Sequence, residues 1–178
     1  MIFHWLDIDL IAGVTRNEGS LLAAWTFGQF MKNFTEVGFK YLVNFTNYMF
    51  HNIDEERVVD YYLKNVDKTD GNAMRKAFYD FYGDVILKCP TYLFAKQLAE
   101  GSPHRNTFFY ELTYQTKDMA QVGCDEKTMG ICHGAEVEFV FGNFLNEYTK
   151  MDIEFSEDVM KMWTNFAKTG FGLLLDLQ

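Results

Sequence analysis

Between Asp54 and Val66 the apolar positions Val58, Val59, Tyr62, Leu63 and Val66 recur at the three- and four-residue spacing that lines one stripe of a helix. Asp54 stands where an N-cap belongs, and Ile53 and Val58 occupy the two staple positions around it. A second helix is predicted over Gly71–Tyr82. A third runs from about Pro90 to Glu100, with the proline near its first turn and Gly101-Ser102-Pro103 ending it. Ser20 to Phe30 fits a helix packed behind the polar stretch that precedes it. Ser156 reads as the cap of a helix reaching Thr169, with Glu157 and Asp158 at its positive end and Gly170 as its stop.

Two segments read as strands. DIDLIAGVT (Asp7 to Thr15) is mostly apolar and ends at the polar run Arg16-Asn17-Glu18-Gly19, which places Glu18 in a strand-end loop. NTFFYELTY (Asn106 to Tyr114) is aromatic and suits a buried strand. Gln115 to Cys132 is a long polar loop, a length often kept for function. The order strand, helices, strand, helix predicts an α/β fold. Two strands do not make a free-standing sheet with helices on both faces, so the remaining strands are expected outside this chain. The exposed sheet edges would then lower the stability of the chain by itself, and whether it folds alone stays open. No repeat, linker or low-complexity tract marks a domain boundary.

Composition narrows the classes. The apolar fraction of 48% supports a buried core, and the net charge of −9 repels phosphate backbones, which argues against nucleic acid as a partner. No apolar run approaches a membrane span. The start MIFHWLDIDLIAG lacks a basic region and is broken by Asp7 and Asp9, so it is not a signal peptide. The protein is therefore cytosolic or its natural start lies upstream. Two N-glycosylation sequons occur, at Asn33 and Asn44. Cysteines number three, an odd count that leaves one without an internal partner if the others pair.

The candidate chemistry centres on GICHGAEVEFVFG (Gly130 to Gly142). His133 could be a base, a metal ligand or a polar loop residue. Glu18 upstream makes an acid-then-histidine order that fits two members of a catalytic triad, in which the acid fixes the imidazole tautomer and the imidazole takes a serine proton. The nucleophile of such a triad sits in a Gly-x-Ser-x-Gly elbow, and none of Ser20, Ser102 and Ser156 stands in one. An HGGG-type oxyanion loop is absent too. Cys124 and Cys132 flank the loop leading into His133; a local disulfide suits them better than a zinc site, which needs about four ligands, so no metal is assigned. Glu136 and Glu138 would share a face of an extended segment, but a glycosidase pair also needs a cleft, and Glu138 reads as a surface residue. Trp25, Trp163 and the stretch Met160 to Trp163 read as core packing, and His4, His51 and His104 receive no role.

Five motifs then fall into one pattern: GVTRNEGSLL (Gly13 to Leu22), FYGD (Phe81 to Asp84), Cys89-Pro90, GICHGAEVEFVFG, and MWTNFAKTG (Met162 to Gly170). In order and spacing they resemble the C-terminal part of type-B carboxylesterases, the family of carboxylesterases and cholinesterases, across nearly the whole chain. The resemblance implies an α/β-hydrolase fold of which residues 1–178 are the C-terminal portion, with an incomplete sheet and an atypical tail at 171–178, read as a truncated end. It implies a serine-type carboxylic ester hydrolase, with Glu18 as the triad acid, His133 as the base and Glu136 supporting the site. The nucleophile is missing from this chain, which alone should be inactive. Cys89 matches a disulfide cysteine whose family partner lies downstream, and no cysteine follows Cys132 here.

Where cholinesterases often carry aromatic residues, this chain has Leu21, Leu22 and Ala135, which favours a broader carboxylesterase pocket over choline esters. An acetylcholinesterase proper, or a cholinesterase-like adhesion protein without catalysis, are the alternatives. The resemblance further implies an ester substrate, no cofactor, and a secreted or cell-surface location for the full-length protein. The oligomeric state stays open.

Overall fold

A computed structural model of the chain describes residues 7–144 and 148–171. β1 (Leu10–Thr15) and β2 (Thr107–Leu112) pair in parallel, from Leu10 opposite Thr107 to Thr15 opposite Leu112. Parallel neighbours need a long crossover. Here it holds α1 (Glu18–Phe27), α2 (Glu36–Phe50), α3 (Glu55–Tyr62), α4 (Gly71–Gly83), one π-helical turn (Asp84–Lys88) and α5 (Cys89–Gly101). After β2 come a 3-10 turn (Lys117–Val122), α6 (Glu126–Met129), α7 (Glu136–Phe141) and α8 (Lys150–Thr169). The result is a mixed α/β arrangement, mostly helical, whose sheet among the described residues has two strands.

The alternation of β2 decides what covers the sheet. Phe109 meets Tyr92 of α5, with ring centroids 5.6 Å apart, whereas Phe108 and Tyr110 meet Phe166 and Trp163 of α8 at 6.0 and 5.2 Å. Successive strand side chains point to opposite faces, so α5 and α8 lie on opposite sides of the sheet. Beside this layer the helices bury their own aromatic core. Phe27 and Phe39 approach Phe78 of α4 edge-on, and Phe78, Phe81, Phe39 and Leu42 are essentially closed to solvent. α1 crosses α4 through two glycines: a Cβ on Gly19 would stand 2.0 Å from the Tyr79 carbonyl oxygen and 2.3 Å from the Gly83 nitrogen. That backbone-to-backbone contact sets the height of Glu18, the residue before Gly19.

Several expectations are corrected. Glu18 opens α1 directly after the strand, so it is a helix N-terminal residue and not a residue of a free loop. α2 was not foreseen, and the predicted polar loop over Gln115–Cys132 contains two helical turns. α8 begins at Lys150, not at Ser156. Thr149 and Asp152 form its capping box, whereas Ser156 is a buried mid-helix residue whose hydroxyl donates to the Phe139 carbonyl at 2.8 Å. Glu136 and Glu138 lie on a helix, not in an extended segment. Glu138 is buried, accepting a hydrogen bond from the Thr116 hydroxyl, because that helical phase turns it inward beside Phe139. Trp25 is 64% exposed, since it falls on the outer face of α1. The tail at 172–178, the start at 1–6 and hence His4 lie outside the described residues.

Candidate functional site: a glutamate–histidine pair

The site begins where β1 ends. Past Thr15 the chain keeps its extended course: the Arg16 amide donates to the Leu112 carbonyl at 2.9 Å. Next, the Asn17 amide donates to the Ile131 carbonyl at 2.9 Å, and the Ile131 amide donates to the Asn17 side-chain oxygen at 3.0 Å. Asn17 and Cys132 thereby form a parallel bridge. Parallel register advances both chains together, so the next residues, Glu18 and His133, come abreast. The approach requires glycine at 130. Its φ is +73°, and a Cβ there would stand 2.1 Å from the Asn17 side-chain oxygen.

Glu18 is 6% exposed, and both its oxygens are engaged. Oε1 accepts the Thr15 amide at 2.7 Å, and Oε2 lies 2.7 Å from His133 Nδ1. A carboxylate only accepts, so Nδ1 carries the hydrogen of the neutral ring and Nε2 keeps its lone pair. The His133 side chain is 42% exposed. Its pKa is raised above that of an ordinary histidine, first by the hydrogen bond to Glu18, then against burial, with the negative charges of Glu18 and Glu136 adding to the rise. This arrangement orients an imidazole as a proton acceptor at Nε2 and stabilises the imidazolium that results.

The other expected site residues fall as follows. Glu136 opens α7 close enough to His133 to act on it electrostatically, and its Oε2 is buried without a hydrogen-bond partner among the described residues. It borders an apolar cavity of about 280 Å³ lined by Tyr110, Leu112, Phe139, Phe155 and Trp163. Leu21 and Ala135 are buried, Leu21 within the helical core, and Leu22 is half-buried against that core. Cys124 and Cys132 form a disulfide, as the loop spacing suggests, so their sulfurs are committed to each other. Cys89 is a free, exposed cysteine. Asn33 is exposed in a turn with φ +50°. Asn44 is exposed on α2, but the Thr46 of its sequon is fully buried. All three serines are buried; Ser20 donates its hydroxyl to the Asn17 carbonyl at 2.9 Å. Sequence reasoning missed Asn17, which looks like one more polar loop residue, and Gln115, whose role depends on contacts distant in sequence.

Comparison with known proteins shows the family. The sequence profile of the carboxylesterase family matches residues 3–173. The chain is 30% identical over 169 residues to the "Cholinesterase" of Mus musculus, which covers 91% of this chain and 27% of the mouse protein. It is 28% identical over 170 residues to "Acetylcholinesterase-1" of Trittame loki, covering 90% of this chain and 30% of that protein. It is 36% identical over 124 residues to "Carboxylesterase 3" of Homo sapiens, covering 64% and 20%. The chain thus spans less than a third of the length of these relatives.

Proposed function

The chain belongs to the carboxylesterase family, whose fold is that of the α/β-hydrolases, and from that premise we propose that it carries the acid and the base of a serine-type carboxylic ester hydrolase. The observation that supports this is the 2.7 Å contact between Glu18 Oε2 and His133 Nδ1, which leaves Nε2 free to accept a proton. In this reading the serine and the oxyanion donors belong to residues outside 1–178. His133 Nε2 takes the serine proton as the hydroxyl attacks the ester carbonyl, and the imidazolium then protonates the departing alcohol. Water repeats the sequence to release the acid. Glu18 holds the tautomer and offsets the positive charge in both halves.

The substrate class is a small carboxylic ester. Leu21 and Ala135 are closed to solvent, which leaves Leu22 as the aliphatic residue of the three with exposed surface. Without an aromatic ring there a quaternary ammonium loses cation–π attraction worth about 0.5–2 kcal/mol, so a general carboxylester fits better than a choline ester. The Cys124–Cys132 disulfide and the exposed Asn33 sequon support an oxidising, secretory location.

The test joins the chain to the serine-bearing upstream portion of a carboxylesterase relative and measures ester hydrolysis and fluorophosphonate labelling. The chain alone should take no label. The combined protein should take one label and hydrolyse ester, and His133→Gln should abolish hydrolysis. Labelling of the chain alone, or full activity in His133→Gln, contradicts the proposal.

A further inference from the structure

His133 stands in a turn that the Ala135 amide closes by donating to the Cys132 carbonyl at 3.2 Å, and its imidazole is 42% exposed beyond the contact with Glu18. Cys132, the residue before it, anchors that turn. Cys132 is fully buried, and its sulfur, carbonyl and amide are all engaged. Its sulfur is bonded to Cys124, its backbone bridges Asn17, and its amide donates to the side-chain oxygen of Gln115 at 2.9 Å. Gln115 is 6% exposed, and its Nε2 donates to the Cys124 sulfur at 3.4 Å. One side chain therefore touches both half-cystines, through its acceptor at one and its donor at the other.

We infer that Gln115 is a positioning residue for His133: its side-chain oxygen, together with the Asn17 amide on the Ile131 carbonyl, fixes the peptide plane entering Cys132 and so helps to set where the imidazole meets Glu18. The disulfide alone does not do this. It tethers the Cys132 sulfur but leaves the backbone torsions of Cys132 free to turn. The Ile131–Cys132 peptide unit is held at both ends: the Asn17 amide donates to the Ile131 carbonyl at 2.9 Å, and the Cys132 amide donates to the Gln115 oxygen at 2.9 Å. The Asn17 bond alone leaves the plane one point of support, and the Gln115 bond adds the second. From that plane the backbone torsions of Cys132 and the φ, χ1 and χ2 of His133 lead to the ring. A buried amide that lost this acceptor would be left unsatisfied, and the segment would shift to find another, carrying His133 with it. Gln115 touches no reacting atom in this account. The inference rests on the reading of His133 as the triad base and names how that base is held.

The experiment observes the hydrogen-bonded Nδ1 proton of His133 by NMR in the 178-residue chain, identified by its loss in His133→Gln. The unmodified chain should show this slowly exchanging low-field resonance. Gln115→Leu should lose it with the disulfide still formed, as counted by free thiols. Gln115→Glu, which keeps an oxygen facing the Cys132 amide, should restore it. If Gln115→Leu keeps the resonance unchanged while Glu18→Leu, which removes the acceptor, loses it, the clamp is overturned and the acid–base reading stands. If Glu18→Leu keeps it, the acid–base reading fails and the clamp with it. Hydrogen exchange of the Cys132 amide in the unmodified chain decides the case in which Gln115→Leu does not fold. That amide should exchange roughly a hundredfold more slowly than a free-peptide amide; exchange at the free-peptide rate overturns the inference.

Discussion

Glu18 meets His133 because Asn17 pairs with Cys132 one position earlier on each segment. The contact between acid and base is thus a consequence of backbone register, and it links the end of a strand to a loop more than a hundred residues away.

That link makes stability depend on pH. The His133 pKa is raised in the folded chain by its bond to Glu18, above the ordinary value of 6.5. Protonation therefore favours the folded state. The stabilisation is complete below 6.5 and is lost as pH rises through the higher folded value. Urea midpoints of the unmodified chain and of Glu18→Gln should therefore differ more at pH 6 than at pH 9. A gap independent of pH contradicts the linkage.

The crossing of α1 and α4 leaves no room for a side chain at Gly19. Gly19→Ala should destabilise the chain by about 2–3 kcal/mol through overpacking against the Tyr79 carbonyl and Gly83. Gly123→Ala meets no atom within 4 Å and carries only the strain of its positive φ, so it should cost less. Denaturant unfolding of the two variants makes the comparison.

The start of α8 is testable by its cap. Thr149→Ala should lose about 1 kcal/mol and the first turn of the helix. Ser156→Ala should leave helix content unchanged and cost about 1 kcal/mol, from the lost hydrogen bond to Phe139. Circular dichroism with urea titration distinguishes the two. Loss of helix in Ser156→Ala would return the cap to Ser156.

The disulfide closes a short loop directly before the base. Replacing both Cys124 and Cys132 by alanine should cost about 2–3 kcal/mol from the released loop entropy. The cost should fall on the segment over 115–133, seen as faster amide exchange there than in α4.

Much of the fold could be read from the sequence where one local signal decides. Asp54 and Gly170 mark helix ends by their own chemistry, and both strands follow from their apolar and aromatic runs. The α2 stripe of Phe39, Leu42, Val43 and Thr46 has helical spacing too, but its last buried member is a threonine and the apolar residues around it are exposed. The stripe is masked by Val37, Tyr41 and Tyr48 on the outer face. Ser156 misled because serine followed by two acids imitates a cap, while the true cap, Thr149, lies further upstream. Glu18 and His133 could be paired through motif and order. Asn17 and Gln115 could not, because their partners at 131–132 and 124 are brought to them by the fold and nothing local marks them.

The most direct measurement of the central claim is the tautomer of His133. In chain labelled with nitrogen-15 at histidine, above the pH at which the ring loses its second proton, Nδ1 should carry the hydrogen and Nε2 should show the shift of a bare ring nitrogen. A ring found with its hydrogen on Nε2 would leave Glu18 facing a lone pair, and His133 could not be the base described here.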